Sequence, residues 1–388
     1  MTTVSAGIGS AARQKKRRAA NDPDPIHAGR PKPLGPVGGL GGINISGPYE
    51  PVEGWPKVIT PGWRTGSARC VYVESPDRVV AVFGGELPAF DQEGVWGSHV
   101  YRDLRFTETN HPDGRHRSEV VVFDRDGNPV EVWDHWLDAL HEQDKLDGRK
   151  SNMGHINRMK VSRYDADRHI WLVGTRNTGI FKITNDGREL ALKIDASRVP
   201  EDLHPLYYVQ DVAFLPGGDI LVGLWNGIMR FSPEGEFRSS FGRPGSGPME
   251  FDGLHDIVVH PETSLLYIND RLNSRIVVAS PDGEYVTEWP NIQGAYSLRM
   301  TADSGHLWVG NGLMHKFVKY DLDGRLVRPA TWGTFGIAPG AFWSPHYFDT
   351  DSEGCLYVCE DYLGRLQKFR PLADAEPDDP QLIGALAR

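Results

Sequence analysis

Beyond residue 40 the chain repeats itself with a period of about 45 residues, a spacing typical of stacked four-strand units. The clearest unit, residues 255–289, reads HDIVVHPETSLLYINDRLNSRIVVASPDGEYVTEW. Its relatives begin INRMKVSRYDADRHIWLVG, DVAFLPGGDILVGLWNG, SLRMTADSGHLWVGNG and YFDTDSEGCLYVCEDYLG, and a first unit begins SARCVYVESPDRVVAVFGG. Each alternates apolar and polar residues, and most carry an Asp-Gly or Glu-Gly turn before the last strand, which is the signature of antiparallel hairpins. A sheet of four strands cannot bury both faces alone, so the units must stack, and closing the ring protects their edges. The sequence therefore predicts an all-β, six-bladed β-propeller over residues 41–388, with an insertion in blade one at about 85–117. The sixth blade needs an outer strand from a chain end, either the C-terminal LIGALA or an N-terminal stretch such as WPKVIT. Residues 1–40, rich in Gly, Pro and charge, read as a disordered N-terminal tail.

The net charge of −10 argues against a nucleic-acid-binding body. The basic run Arg13 to Arg18 reads as part of the solvated tail. No apolar run approaches the roughly 20 residues of a membrane span, and none follows the basic run as a secretory signal would require. The three cysteines, Cys70, Cys355 and Cys359, lack the spacing of a disulfide framework. Together these features predict a cytoplasmic protein whose partner is a small molecule, with no nucleic acid and no membrane. They leave the oligomeric state open.

His155, His255 and His346 stand at first-strand entries of blades two, four and six. A closed ring would place three imidazoles around one axis. With a solvent molecule they would form an open catalytic zinc site, although imidazole also suits copper, iron or nickel. The plain alternative is three polar residues plugging a water-filled channel. In the intervening blades the same register falls to Gln210 and Tyr296, and to about Arg69 in blade one. Loops between second and third strands share the face of the first-strand entries. They bring Arg176, Trp225, Arg271 and Tyr362 toward the histidines, and the insertion adds His99, His111 and His116. Arg271 could bind a substrate acid through its planar fork or simply pair with Asp270. Tyr296 and Tyr362 could carry protons, and Trp225 could stack on substrate; all three could equally be packing. Arg69, Arg176 and Gln210 would line the polar funnel as substrate-binding groups. Glu360 and Asp361 are further candidates for holding a cation or water.

The segments FGRPGSGPMEFDGLHDIVVHPETSLLYINDRLNSRIVVASPDGEYVTEW and WGTFGIAPGAFWSPHYFDTDSEGCLYVCEDYLGRLQKF resemble NHL repeats. Within that class the chain, over about residues 65–375, resembles the catalytic domain of peptidyl-α-hydroxyglycine α-amidating lyase and its bacterial relatives. The resemblance implies a six-bladed propeller whose axial zinc is held by three histidines from alternate blades, here His155, His255 and His346. It also implies a substrate-binding arginine in an Asp-Arg step, matched by Asp270-Arg271. The family's catalytic tyrosine lies in a loop that here reads GLWNG and offers Trp225. Its structural calcium uses an Asp directly after the third histidine, where this chain has Tyr347; its secretory disulfides and blade-one arginine have no counterpart. The expectation is a metal-dependent lyase acting on a small polar hydroxy or carbonyl substrate, with one divalent cation, zinc first. The rivals are a metal-dependent hydrolase or hydratase, like lactonase propellers, and a non-catalytic NHL scaffold.

Overall fold

The computed structural model describes residues 45–88, 118–136, 156–174, 179–203 and 209–384. The expected tail, most of the insertion with His99, His111 and His116, and the residues His155 and Arg176 lie outside them. Six four-stranded antiparallel sheets follow one another, each running from its innermost strand outward. Blade one comprises Ala68–Ser75, Arg78–Phe83, Val120–Phe123 and Pro129–Val132. Blades two to five begin at Ile156–Val161, Val209–Phe214, Leu254–Val259 and Ala295–Met300, and blade six at Pro345–Thr350. The innermost strand of blade six packs beside that of blade one, so the ring closes as a six-bladed β-propeller.

Strand alternation gives each sheet two apolar faces, and each face meets a different neighbour. In blade one, Val80 and Val82 turn toward Ile156, Met159 and Leu172 of blade two. The intervening Val79, Ala81 and Phe83 turn toward Tyr357 and Cys359 of blade six. Four similar clusters fill the remaining seams. Cys70, Cys355 and Cys359 are buried thiols within these layers. The Asp-Gly turns also serve the seams: Gly324 takes φ +78°, and a methyl group there would come within 2.5 Å of Trp289 from the preceding blade. That turn needs glycine both for its backbone and for the space the indole occupies.

Ring closure follows the N-terminal alternative, although with a stretch just before WPKVIT. The outer strand of blade six is Tyr49–Pro51, paired with Arg365–Pro371 so that Tyr49 faces Pro371 and Pro51 faces Phe369. WPKVIT follows that strand as a loop. At the other chain end, the amides of Ile383 and Gly384 donate to the Tyr49 hydroxyl at 2.9 and 3.2 Å. Burial of this phenol pushes its pKa up to about 12, so it stays protonated and joins both chain ends. Among the described residues no helix is long and apolar enough to cross a membrane.

Removing the Tyr49 hydroxyl leaves two buried amides without their acceptor. Tyr49→Phe is expected to destabilise the fold by about 1–3 kcal/mol, read as a lower urea midpoint at unchanged slope. An unchanged midpoint would show that this hydroxyl does not lock the ring.

Candidate functional site at the propeller hub

Every innermost strand begins with one residue that has no partner in the register to its neighbour, a β-bulge. The bulged residues are Arg69, Asn157, Gln210, His255, Tyr296 and His346 in blade order. Arg69, Gln210 and Tyr296 thus stand where the repeats place them. Blade two departs from the expected histidine register, because Asn157 occupies its bulge and His155 comes two positions earlier in the chain.

The bulged side chains stitch one blade to the next. His255 Nδ1 lies 2.6 Å from the Tyr296 carbonyl, and His346 Nδ1 lies 2.7 Å from the Arg69 carbonyl. Asn157 reaches the Gln210 carbonyl at 3.4 Å, and Arg69 Nη1 donates to the Ile156 carbonyl at 2.8 Å. A carbonyl only accepts, so Nδ1 of His346 carries the hydrogen; at His255 the 2.6 Å carbonyl contact favours the same tautomer over the longer 3.2 Å approach of Arg158 Nη2 to Nδ1. In the neutral ring Nε2 is then left with its lone pair. The two imidazoles sit with ring centroids 5.1 Å apart and planes at 84°. Tyr296 closes the group, its ring 5.0 Å from His255 and 5.3 Å from His346.

Electrostatics keep both rings neutral. Burial, then the cations Arg271 and Arg158, hold His255 well below the usual histidine range. Burial likewise depresses His346 to about 3, although Asp361 opposes it. Beneath His255 the fully buried Arg158 donates from Nη2 to the His255 carbonyl at 2.9 Å and rests 4.7 Å above the Tyr347 ring. Lys160 bridges Asp211 at 2.5 Å and Asp256 at 2.8 Å. These carboxylates also accept the Ile257 and Leu298 amides of the following blades, at 2.8 and 2.9 Å. In the sequence this layer is signalled by NRMK and by the acids directly after Gln210 and His255.

The mouth of the hub assembles Arg271, Trp225, Tyr296 and Tyr362. The Arg271 guanidinium lies 5.5 Å from the Trp225 ring centroid and 4.9 Å from that of Tyr296, held between two π faces. Asp270 is buried and pairs with Arg275 at 2.8 Å. The Tyr296 and Tyr362 hydroxyls are 3.4 Å apart, and burial pushes the Tyr296 pKa up. Asp361 accepts from Ser67 on the same rim. Glu360 is consumed by Arg365, Gln367 and the Trp343 amide. Arg69 and Gln210 are largely buried, and Arg69 serves the blade-two carbonyl.

Metal-type donors gather in threes within 4.8 Å at two places among the described residues, Asp165–Asp167–His169 and Asp351–Glu353–Cys355. Both are turn caps: Asp165 holds His169 and Lys182, and Asp351 takes the Cys355 amide and the Tyr357 hydroxyl. The hub contributes two described imidazoles, and their carbonyl-anchored Nδ1 atoms are the usual outer support of metal-ligating histidines.

No family model matches the chain. No curated protein matches it either. Among solved structures it is similar to a catalytically inactive virginiamycin B lyase from Staphylococcus aureus determined with quinupristin, at TM-score 0.47 and 14% identity over 82% of this chain and 88% of that one. It is also similar to a protein of unknown function from Bacteroides thetaiotaomicron, at TM-score 0.48 and 14% identity over 79% of this chain and 70% of that one. The WD40 β-propeller domain of Doa1 gives TM-score 0.48 and 10% identity over 81% of this chain and 99% of that one. These are likenesses of overall shape; the propeller assignment itself rests on the strand order.

Neutral buried histidines leave a trace in acid. An unfolded histidine takes up a proton near 6.5, whereas His346 in the fold resists until about 3. Stability present above pH 6.5 is therefore lost as pH falls below it, because only the unfolded chain gains the proton. Asp211, raised to about 7 by burial, acts oppositely by holding a proton in the fold, so the two must be separated. With chelator present, wild type should lose about 2 kcal/mol relative to His346→Gln between pH 7 and 5 in urea titrations. The glutamine amide retains a donor for the Arg69 carbonyl. Parallel pH profiles would mean that His346 is protonated in the folded chain.

Proposed function

We infer that the chain is a metal-dependent lyase acting at the propeller hub on a small polar hydroxy or carbonyl substrate. One observation carries this reading: His255 and His346 are neutral, adjacent and anchored through Nδ1, which leaves two Nε2 lone pairs as donors. His155 is the third ligand of the proposal, at the entry to blade two. Imidazole donors suit zinc, the ion we propose first, and also copper, iron or nickel. When bound, such a cation would polarise a substrate oxygen and lower its pKa.

The remaining chemistry belongs to the mouth. Arg271, immobilised between Trp225 and Tyr296, orients an acidic group on the substrate through its planar fork. Burial keeps the Tyr296 phenol protonated, so it can offer a hydrogen bond to a leaving group, and the nearby Arg271 charge opposes the burial that would otherwise hold back its proton. Tyr362, within reach of its hydroxyl, connects it to the rim. Arg176 completes the substrate-binding set from blade two. This reading extends the resemblance to the amidating lyase in its metal and arginine positions, with Tyr296 taking the proton-transfer role that Trp225 cannot. The unpaired thiols favour a reducing compartment, and we place the reaction in the cytoplasm.

A second reading has its own support. The Nδ1–carbonyl bonds that orient the histidines also tie blade four to five and blade six to one, as Asn157 ties two to three. On that reading the hub is a structural clasp in a non-catalytic scaffold.

Elemental analysis separates the two. Purified wild type should carry stoichiometric metal, and His255→Ala and His346→Ala should each lose it while remaining folded by circular dichroism. A folded wild-type chain that takes up no divalent metal on reconstitution, or variants that keep it, would leave the clasp as the hub's role.

A further inference from the structure

Beside the hub mouth lies a recess of about 770 Å³ in blade three. Its apolar walls come from Leu203, Leu224, Trp225, Ile228, Met229 and Phe241. Ile228 and Met229 are buried strand residues, so the floor is fixed by the blade itself. The volume falls within the roughly 300–1,000 Å³ of small-molecule sites, which are mostly apolar with few polar groups. The recess is not isolated from the hub, because Trp225 is one of its walls and also one of the two rings that hold the Arg271 guanidinium. The indole is fixed by donation from Nε1 to Asp252 at 3.1 Å. An apolar chamber and a cation suited to acidic groups thus share one rigid partition.

We propose that this recess is the subsite for an apolar tail on the hydroxy or carbonyl substrate, making it an aliphatic or aryl hydroxy or oxo monocarboxylate whose acidic end meets Arg271. The proposal rests on the reading of Arg271 as an anion anchor, and it narrows the substrate class. A small polar acid would fill the hub and leave the recess to water, whereas a chain of several methylenes gains by leaving water at each one. Exposed Leu272 stands next to Arg271 beside the same partition and extends the apolar surface at the mouth.

The test is calorimetric titration of the full chain with octanoate and with acetate. Octanoate should bind at least about ten-fold more tightly than acetate, because its added methylenes are buried. Ser240 lines the recess from an exposed strand position, so Ser240→Trp can fill it without disturbing the core. That variant should abolish the octanoate preference and leave acetate affinity unchanged. Leu203→Asp, which puts a charge in the recess, should do the same. Equal binding of the two acids to wild type, or an undiminished octanoate preference in both variants, overturns the proposal. The metal assignment is read separately: an octanoate preference lost in Ser240→Trp supports the recess even in a chain that elemental analysis shows to be metal-free. Arg271→Gln should weaken both acids; if it weakens neither, the anion anchor falls and the proposed substrate class falls with it.

Discussion

The innermost strands of a propeller each present an unpaired edge toward the hub, and satisfying those edges governs the rest of this molecule. Buried amides and carbonyls without partners are expensive. Here side chains of neighbouring blades supply them. Asp211 takes the Ile257 amide, Asp256 the Leu298 amide and Asp349 the Val73 amide, each at 2.8 or 2.9 Å. The bulged residues satisfy carbonyls in turn, from Asn157, His255 and His346. The bulge turns one side chain per blade into the centre at the point where the strand leaves its linker. The fold and the candidate site are therefore built from the same hydrogen bonds, and the histidines are oriented by what holds the ring together.

Those carboxylates bring charge into the hub, and the chain balances it locally. Lys160 lies between Asp211 and Asp256, with Arg158 close by. Burial opposes ionisation of both acids, but Lys160 and Arg158 outweigh it at Asp256 and hold that carboxyl low. Asp211 yields to burial and rises. Arg158 has a second effect, because its guanidinium touches the backbone of His255 and its charge disfavours an imidazolium there. The same cation that helps offset the acids thus keeps the nearby histidine available as a neutral base or ligand.

Much of this was legible in the sequence. Six repeats, five of them with an Asp-Gly or Glu-Gly turn before the last strand, predict the six sheets, and glycine at positions such as 324 is required twice over. The alignment of His255, Tyr296 and His346 follows from counting along clear first strands. Blade two was misread by two positions, because periodicity fixes strand faces but does not reveal where the bulge sits. Nothing in MGHINRMK marks Asn157 rather than His155 as the extra residue. Closure by an N-terminal segment was legible but its residues were not, for a different reason: Tyr49–Pro51 is three residues long, too short for alternation to show. The buried ionic layer was readable in principle, since period two puts Arg158 and Lys160 on one side of their strand. It was overlooked because charged residues in a strand are ordinarily assigned to solvent.

The identity of the hub residues weighs on what they do. If stitching blades were the whole requirement, an amide would meet it, as Asn157 does for the Gln210 carbonyl. A histidine at the bulge satisfies the same carbonyl but carries a second nitrogen into the hub. The His255 and His346 rings lie with centroids 5.1 Å apart, and burial and nearby cations oppose their protonation. A purely structural hub gains nothing from that arrangement. A shared cation of the kind proposed would use both lone pairs at once, a use for the second nitrogen that stitching blades does not supply.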